Sequence, residues 1–128
     1  MVKLNFVHLC EYAFLLENGT PGLVGIFSRI MADSLPAYRS NTAVVVNFSA
    51  KDKEKHKVEL TIKSPSGKEI MEKMEKEVGP VSEIDRNIGL VMNIGNLLFE
   101  EEGDFIFQVN IDKENIVSVS LNLSIIKK

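Results

Sequence analysis

The residues best suited to chemistry lie close together near the start of the chain. In NFVHLCEYAF, residues 5–14, the single cysteine, Cys10, is flanked by His8, Glu11 and Tyr12. A thiol near an imidazole suggests a nucleophile with its base, since a reactive cysteine needs a neighbour that lowers its pKa. A thiol, an imidazole and a carboxylate together suggest a metal site. The spacing weakens both ideas. Successive side chains of an extended strand point to opposite faces. Phe6, His8, Cys10, Tyr12 and Phe14 then share one face, and Val7, Leu9, Glu11, Ala13 and Leu15 share the other.

Cys10 and Glu11 therefore point apart. A structural zinc site wants four ligands, and the only other histidine, His56, sits beside a charged loop. Free cysteine is among the most buried residue types and behaves as a small hydrophobe. Cys10 is thus expected to pack with Phe6, Tyr12 and Phe14 in the core, and His8 to be a partly buried, hydrogen-bonded residue at the sheet's margin. No metal and no cofactor are expected. Glu11 remains as a carboxylate in an apolar run, where a buried charge is costly unless paired. Arg29 and Arg39 are its candidate partners, and a polar contact in a binding surface is its alternative role.

Other chemical signatures are missing. SPSGKE lacks the upstream glycine of a phosphate-binding loop, and there is no Gly-x-Ser-x-Gly, His-Glu-x-x-His or Gly-x-Gly-x-x-Gly. FEEEGD lacks the alternating oxygen ligands of a calcium loop and reads as a solvated turn closed by Gly103. With two histidines and no clustered carboxylates, the chain is not expected to be an enzyme.

The elements that would carry these residues are strands. In DFIFQVNIDKENIVSVSLNLSII, Phe105, Phe107, Val109 and Ile111 alternate with Ile106, Gln108 and Asn110. After DKEN, Val117, Val119, Leu121, Leu123 and Ile125 alternate with Ser118, Ser120, Asn122 and Ser124. A period of two across a short polar link predicts an antiparallel hairpin. TAVVVNFS, KVELTIK and NIGLVMNIG repeat the pattern, and YAFLL and GLVGIFSRI flank the turn ENGTPG. The segment SGKEIMEKMEKEVGP is ambiguous. Ser66 and Glu69 have capping-box spacing, and Glu69 with Lys73 and Glu72 with Lys76 are helix-favouring pairs, with Gly79 and Pro80 at a plausible helix end. As a charged edge strand, Ile70, Met74 and Val78 would share one face.

The totals fit one domain. The chain has 128 residues, enough to bury roughly two-thirds of its unfolded surface without metals or disulfides. A net charge of −3 and the lack of a basic run argue against nucleic acid. No stretch approaches the about eighteen uninterrupted apolar residues of a membrane helix. One cysteine cannot close an internal disulfide, and the cytoplasm is the expected compartment.

The arrangement LCEYAF, NG, LVGIFSRI, LPAY and TAVVVNF, followed by SPSGKEI and LLFEEEGDFIFQVNID, resembles a family of short bacterial proteins of unknown function. The shared elements are Leu9-Cys10-Glu11 with Ala13, Gly25-Ile26-Phe27, Pro36 before a β-branched strand, and Gly103-Asp104-Phe105 opening F-x-F-x-V-x-I-D. The resemblance implies an immunoglobulin-like β-sandwich, a strand over 68–78, and a bacterial or phage cytoplasm. It carries no activity.

The expected fold is all-β: one antiparallel β-sandwich of about eight strands over residues 1–128, immunoglobulin-like or jelly-roll-like. The expected function is a non-catalytic protein-interaction or assembly module that self-associates as a homodimer, since open sandwiches have edges that can pair. The alternative is a small-ligand or carbohydrate binder using loops at one end. An enzyme built on His8, Cys10 and Glu11 ranks last. Candidate surface residues are Glu11, then Leu35, Tyr38 and Arg39 in the connection MADSLPAYRSN, then Leu97 and Leu98 in GNLLFEEEG.

Overall fold

The structure, a computed structural model, describes residues 2–17, 21–50, 55–79 and 87–126. Among them are nine strands: β1 (Val2–Leu15), β2 (Pro21–Ile26), β3 (Arg29–Ala32), β4 (Ala37–Ala50), β5 (His56–Lys63), β6 (Met74–Val78), β7 (Asn87–Phe99), β8 (Gly103–Ile111) and β9 (Glu114–Ile125). They form two sheets, ordered β2-β1-β4-β7 and β3-β9-β8-β5-β6. Parts of the turn expected at ENGTPG (18–20), and Pro80, fall outside the described residues.

Alternation builds the core between the sheets. Val44, Val46 and Phe48 of β4 meet Val58, Leu60 and Ile62 of β5 and Phe105, Phe107 and Val109 of β8, all fully buried. Each such side chain contributes about 1.5–3 kcal/mol by leaving water. Phe99 and Phe105 cross edge to face, their centroids 4.8 Å apart. The β8–β9 hairpin runs as the alternation predicts, closed by Asp112 and Lys113, both at positive φ (53° and 69°). That is the conformation a two-residue hairpin turn demands.

Two irregularities decide which side chains reach which face. The β1–β4 register shifts between Leu4 and Phe6. Val2 and Leu4 pack on the main core before the shift, and Val7 and Leu9 after it, leaving Phe6 and Cys10 on the outer face. In β7 the core positions are Ile88, Leu90, Met92 and Ile94. Asn96, at φ 59°, then shifts the alternation so that Leu97 and Phe99 turn inward.

Two expectations are corrected, and one open choice is resolved. GLVGIFSRI is not one strand: Phe27 N still donates to Leu9 O in the first sheet (2.9 Å), while Ser28 O accepts from Asn122 N in the second (3.0 Å). The chain changes sheets there, and β3 runs parallel to β9. MADSLPAYRSN is not a long loop: only 33–36 bend, and Tyr38 and Arg39 already lie on β4. The 66–79 segment, open between a helix and a charged edge strand, forms no helix and becomes an edge strand at its end. Gly67 N and Lys68 N both bond Ser64, Ile70 N bonds Ile62 O, and Met74–Val78 pairs with β5. Ile70, Met71, Met74 and Val78 pack on the core, a gain a solvated helix would forgo. Among the described residues no helix is long and apolar enough to cross a membrane.

Candidate interaction surface

Strand β1 carries the site. Up to Cys10, which pairs with Ala43, it runs beside β4. Beyond that point its partner is β2, in the register Cys10 to Ile26, Tyr12 to Val24 and Phe14 to Gly22. The far part of this hairpin is seated on the outside of the first sheet: Ala13 and Leu23 pack on Cys10, Ala43 and Val45, with Phe6 and Val91 alongside. Val44, Val45 and Val46 are therefore all fully buried although they alternate in direction. One face meets the core and the other meets the hairpin.

Cys10 is fully buried, as expected, but in this outer cluster rather than in the main core. Its thiol lies 3.6 Å from the Ala43 carbonyl, which can accept from it, and burial pushes its pKa up. That is the reverse of what a nucleophile needs. His8 is half-buried and stacks on Phe6, centroids 5.4 Å apart. Among the described residues no group of three or more His, Cys, Asp or Glu side chains could hold a metal ion.

Glu11 pairs with Arg39, one of the two expected arginines: Arg39 Nη2 donates to Glu11 Oε1 at 3.3 Å. The Arg39 guanidinium also lies 4.0 Å over the Phe27 ring, and Asn41 Nδ2 donates to the Glu11 carbonyl at 2.6 Å. Arg39 thus ties β4 to both strands of the hairpin's root. A planar cation can stack and hydrogen-bond at once, which an ammonium cannot match.

Of the other candidates, Tyr38 is 62 % exposed, and its hydroxyl donates to Asn96 Oδ1. Leu98, its cross-strand partner, is also exposed. Leu97, expected at the surface, is buried in the core because Asn96 shifts the alternation. Leu35 is exposed in the bend before β4. Glu11, Tyr38 and Arg39 do come together, with Tyr12, Ser40 and Asn41, around an open cleft of about 260 Å³. Leu35, Leu97 and Leu98 do not line it.

One exposed apolar feature was not foreseen. Tyr12, Phe14, Val24 and Ile26 share the hairpin side opposite to Ala13 and Leu23, and each exposes half or more of its surface. Strand parity had sent Tyr12 and Phe14 to the core. The overlooked signal is that both faces of residues 5–15 are largely apolar and both faces of β2 are uncharged. One core cannot take both faces.

Two sheets face to face, with β3, the continuation of β2, pairing parallel to the last strand, define an immunoglobulin-like sandwich. A solved immunoglobulin-like protein from Pseudomonas aeruginosa has a similar fold: TM-score 0.51, 14 % identity, with 97 % of each chain covered. More particularly, the chain belongs to the family of unknown function DUF6941, which matches residues 5–124. Among curated proteins, none matches the sequence.

Proposed function

We propose that this protein is a non-catalytic interaction module whose contact surface is the projecting side of the β1–β2 hairpin. The observation that carries this reading is the ridge of Tyr12, Phe14, Val24 and Ile26, each at least half exposed on a hairpin whose other side is seated on protein. Contiguous exposed apolar side chains mark contact sites far more often than scattered ones do. The hairpin is tied to the first sheet through Ala13, Leu23 and the Arg39 contacts, so the ridge is presented on packed protein. Presentation on packed protein lowers the entropy cost of association. The burial of the one thiol supports a role without covalent chemistry.

Affinity capture with the tagged full chain and with a Val24→Lys, Ile26→Lys variant tests it. Proteins retained by the natural chain and lost by the variant support the reading. Identical captured sets, with the variant folded by its melting temperature, would overturn it.

A second reading rests on the cleft of Glu11, Tyr12, Tyr38, Arg39, Ser40 and Asn41. Two exposed tyrosines beside several hydrogen-bonding groups suit a polar small ligand such as a carbohydrate. A sugar panel that raises the melting temperature of the natural chain but not of Tyr38→Ala would favour it.

A further inference from the structure

Strand β2 is one of the two edges of the first sheet. Its sequence, Pro-Gly-Leu-Val-Gly-Ile, carries no charge. The free edges elsewhere are guarded. β6 carries Glu75, Lys76 and Glu77, β3 has four residues and begins with Arg29, and β7 turns Asn93, Gly95 and Asn96 to solvent. Charges, brevity and poor strand formers are the usual devices against unwanted pairing. β2 uses only Pro21 at its start and the positive φ of Gly25 (70°). An uncharged edge next to an exposed apolar ridge is a surface built to be covered.

What covers it can be argued from the strand itself. In an antiparallel pair of two β2 strands about a twofold axis at Val24, Val24 faces Val24 of the other copy, Gly22 faces Ile26, and Leu23 faces Gly25. Large meets small at each unlike position, on both faces of the new pair. Nothing in the strand repels its own copy, because no like charges are brought together. Across the axis the ridges of Tyr12, Val24 and Ile26 become one continuous apolar strip. A partner of unrelated sequence would have to supply this complementarity anew; a second copy has it already.

We propose that this chain forms an isologous homodimer by antiparallel pairing of β2 with β2 about Val24, joining the two first sheets into one sheet of eight strands. This rests on the interaction reading above and names its partner. Gly22 has a part in it. The Phe14 ring lies across Gly22, so close that a Cβ there would fall 2.4 Å from the ring. Phe14 is thereby held where Ile26 of the other copy would arrive.

Sedimentation velocity on the full chain, from low micromolar to several hundred micromolar, reads the association directly. The expected result is a monomer–dimer equilibrium whose dissociation constant rises at least about tenfold in Val24→Lys, which sets two ammonium groups face to face. Met31→Lys, an equally exposed site on β3, should leave it unchanged. Val24→Cys should form a disulfide-linked dimer with diamide, while the sealed Cys10 stays reduced. A chain monomeric at every concentration overturns the proposal, as does a dimer indifferent to Val24→Lys or one without a Val24→Cys cross-link. A monomer that still loses a captured protein in the ridge variant overturns only the self-pairing. A monomer with unchanged captures overturns the interaction reading as well.

Discussion

β2 and β6 are both edge strands of this sandwich, and they face water by opposite means. At β6, Lys73 just before the strand bridges Glu59 of β5 and Glu75 at 3.1 Å each, and Lys57 of β5 reaches Glu75 at the same distance. On β2, no charge appears, and Val24 and Ile26 stand half exposed or more. An edge that is finished with charges is stable alone but has little further to gain by contact. An edge left apolar gains only when something covers it. The difference is one of side-chain chemistry at two edges of the same fold: one finished with charges, one left apolar.

The comparison breaks most easily at the hairpin's seat. Cys10→Asp places a carboxylate in a site with no exposure, between Ala43 and Val45. The expected loss is at least about 3 kcal/mol in denaturant unfolding. Lys76→Asp, on the guarded edge, should change stability by less than about 0.5 kcal/mol. Equal costs at the two sites would mean that the hairpin is not seated.

Arg39→Ala comes next. It removes the Glu11 pair and the stack on Phe27, and should cost about 1–2 kcal/mol by the same measurement. Arg39→Lys should recover less than half of this, because an ammonium cannot both stack and fork. Gly25→Ala follows, at about 1–2 kcal/mol, since its φ is 70°. A Cβ there would also press within 3.0 Å of Glu11 Cγ, whereas Gly67, at φ 89°, has open space around it. Gly25→Ala should therefore destabilise more than Gly67→Ala. Equal losses would mean that the Glu11 contact carries no weight.

The smallest effect is expected on β6 and should depend on pH. Lys57, then Lys73, hold the Glu75 carboxyl below the usual range by hydrogen bonding to its charged form. Glu75 therefore contributes stability above its unfolded pKa, about 4.3, and that contribution fades as pH falls through the lower folded value. Hydrogen bonds from Lys73 to Glu59, then to Glu75, raise its own pKa. Its contribution is complete below about 10.4 and fades as pH rises past the folded value. Melting temperature should thus lose its β6 component only at the two extremes of pH. In about 1 M salt, where screening reaches a few ångströms, that component should shrink. A β2-mediated dimer should show neither dependence near neutral pH.

How far the sequence could be read follows the same division. Along β8 and β9 one face is buried and one is wet, so Phe105, Phe107 and Val109 announced the fold by alternation alone. Along β4 the run Ala43–Val46 does not alternate, because the hairpin covers what would have been the wet face. Strand parity grouped Cys10 with Tyr12 and Phe14, whereas Cys10 is buried with Ala13 and Leu23 and the two aromatic rings are exposed. It could not show that the cover stops after Cys10, which depends on where β1 leaves β4. The Glu11 partner was narrowed to two arginines by the cost of an unpaired charge, and packing on Phe27 singles out Arg39. Leu97 was misplaced for want of a local cue to the left-handed Asn96. The β6 segment was ambiguous because its capping box and charge pairs are real, yet β5 offers it hydrogen bonds that a helix would not.

The order of the first sheet also sets a timetable. β4 pairs with β7, and residues 51–86, which lie between them, include two strands of the other sheet. β3 waits longer still, finding its parallel partner only in β9, at the end of the chain. Such distant pairings make folding slow, on the order of milliseconds to seconds, for sandwiches of this kind. During synthesis the apolar run of β4 leaves the ribosome well before β7 can flank it. Until then β1, already made, is the strand of the first sheet that can flank it.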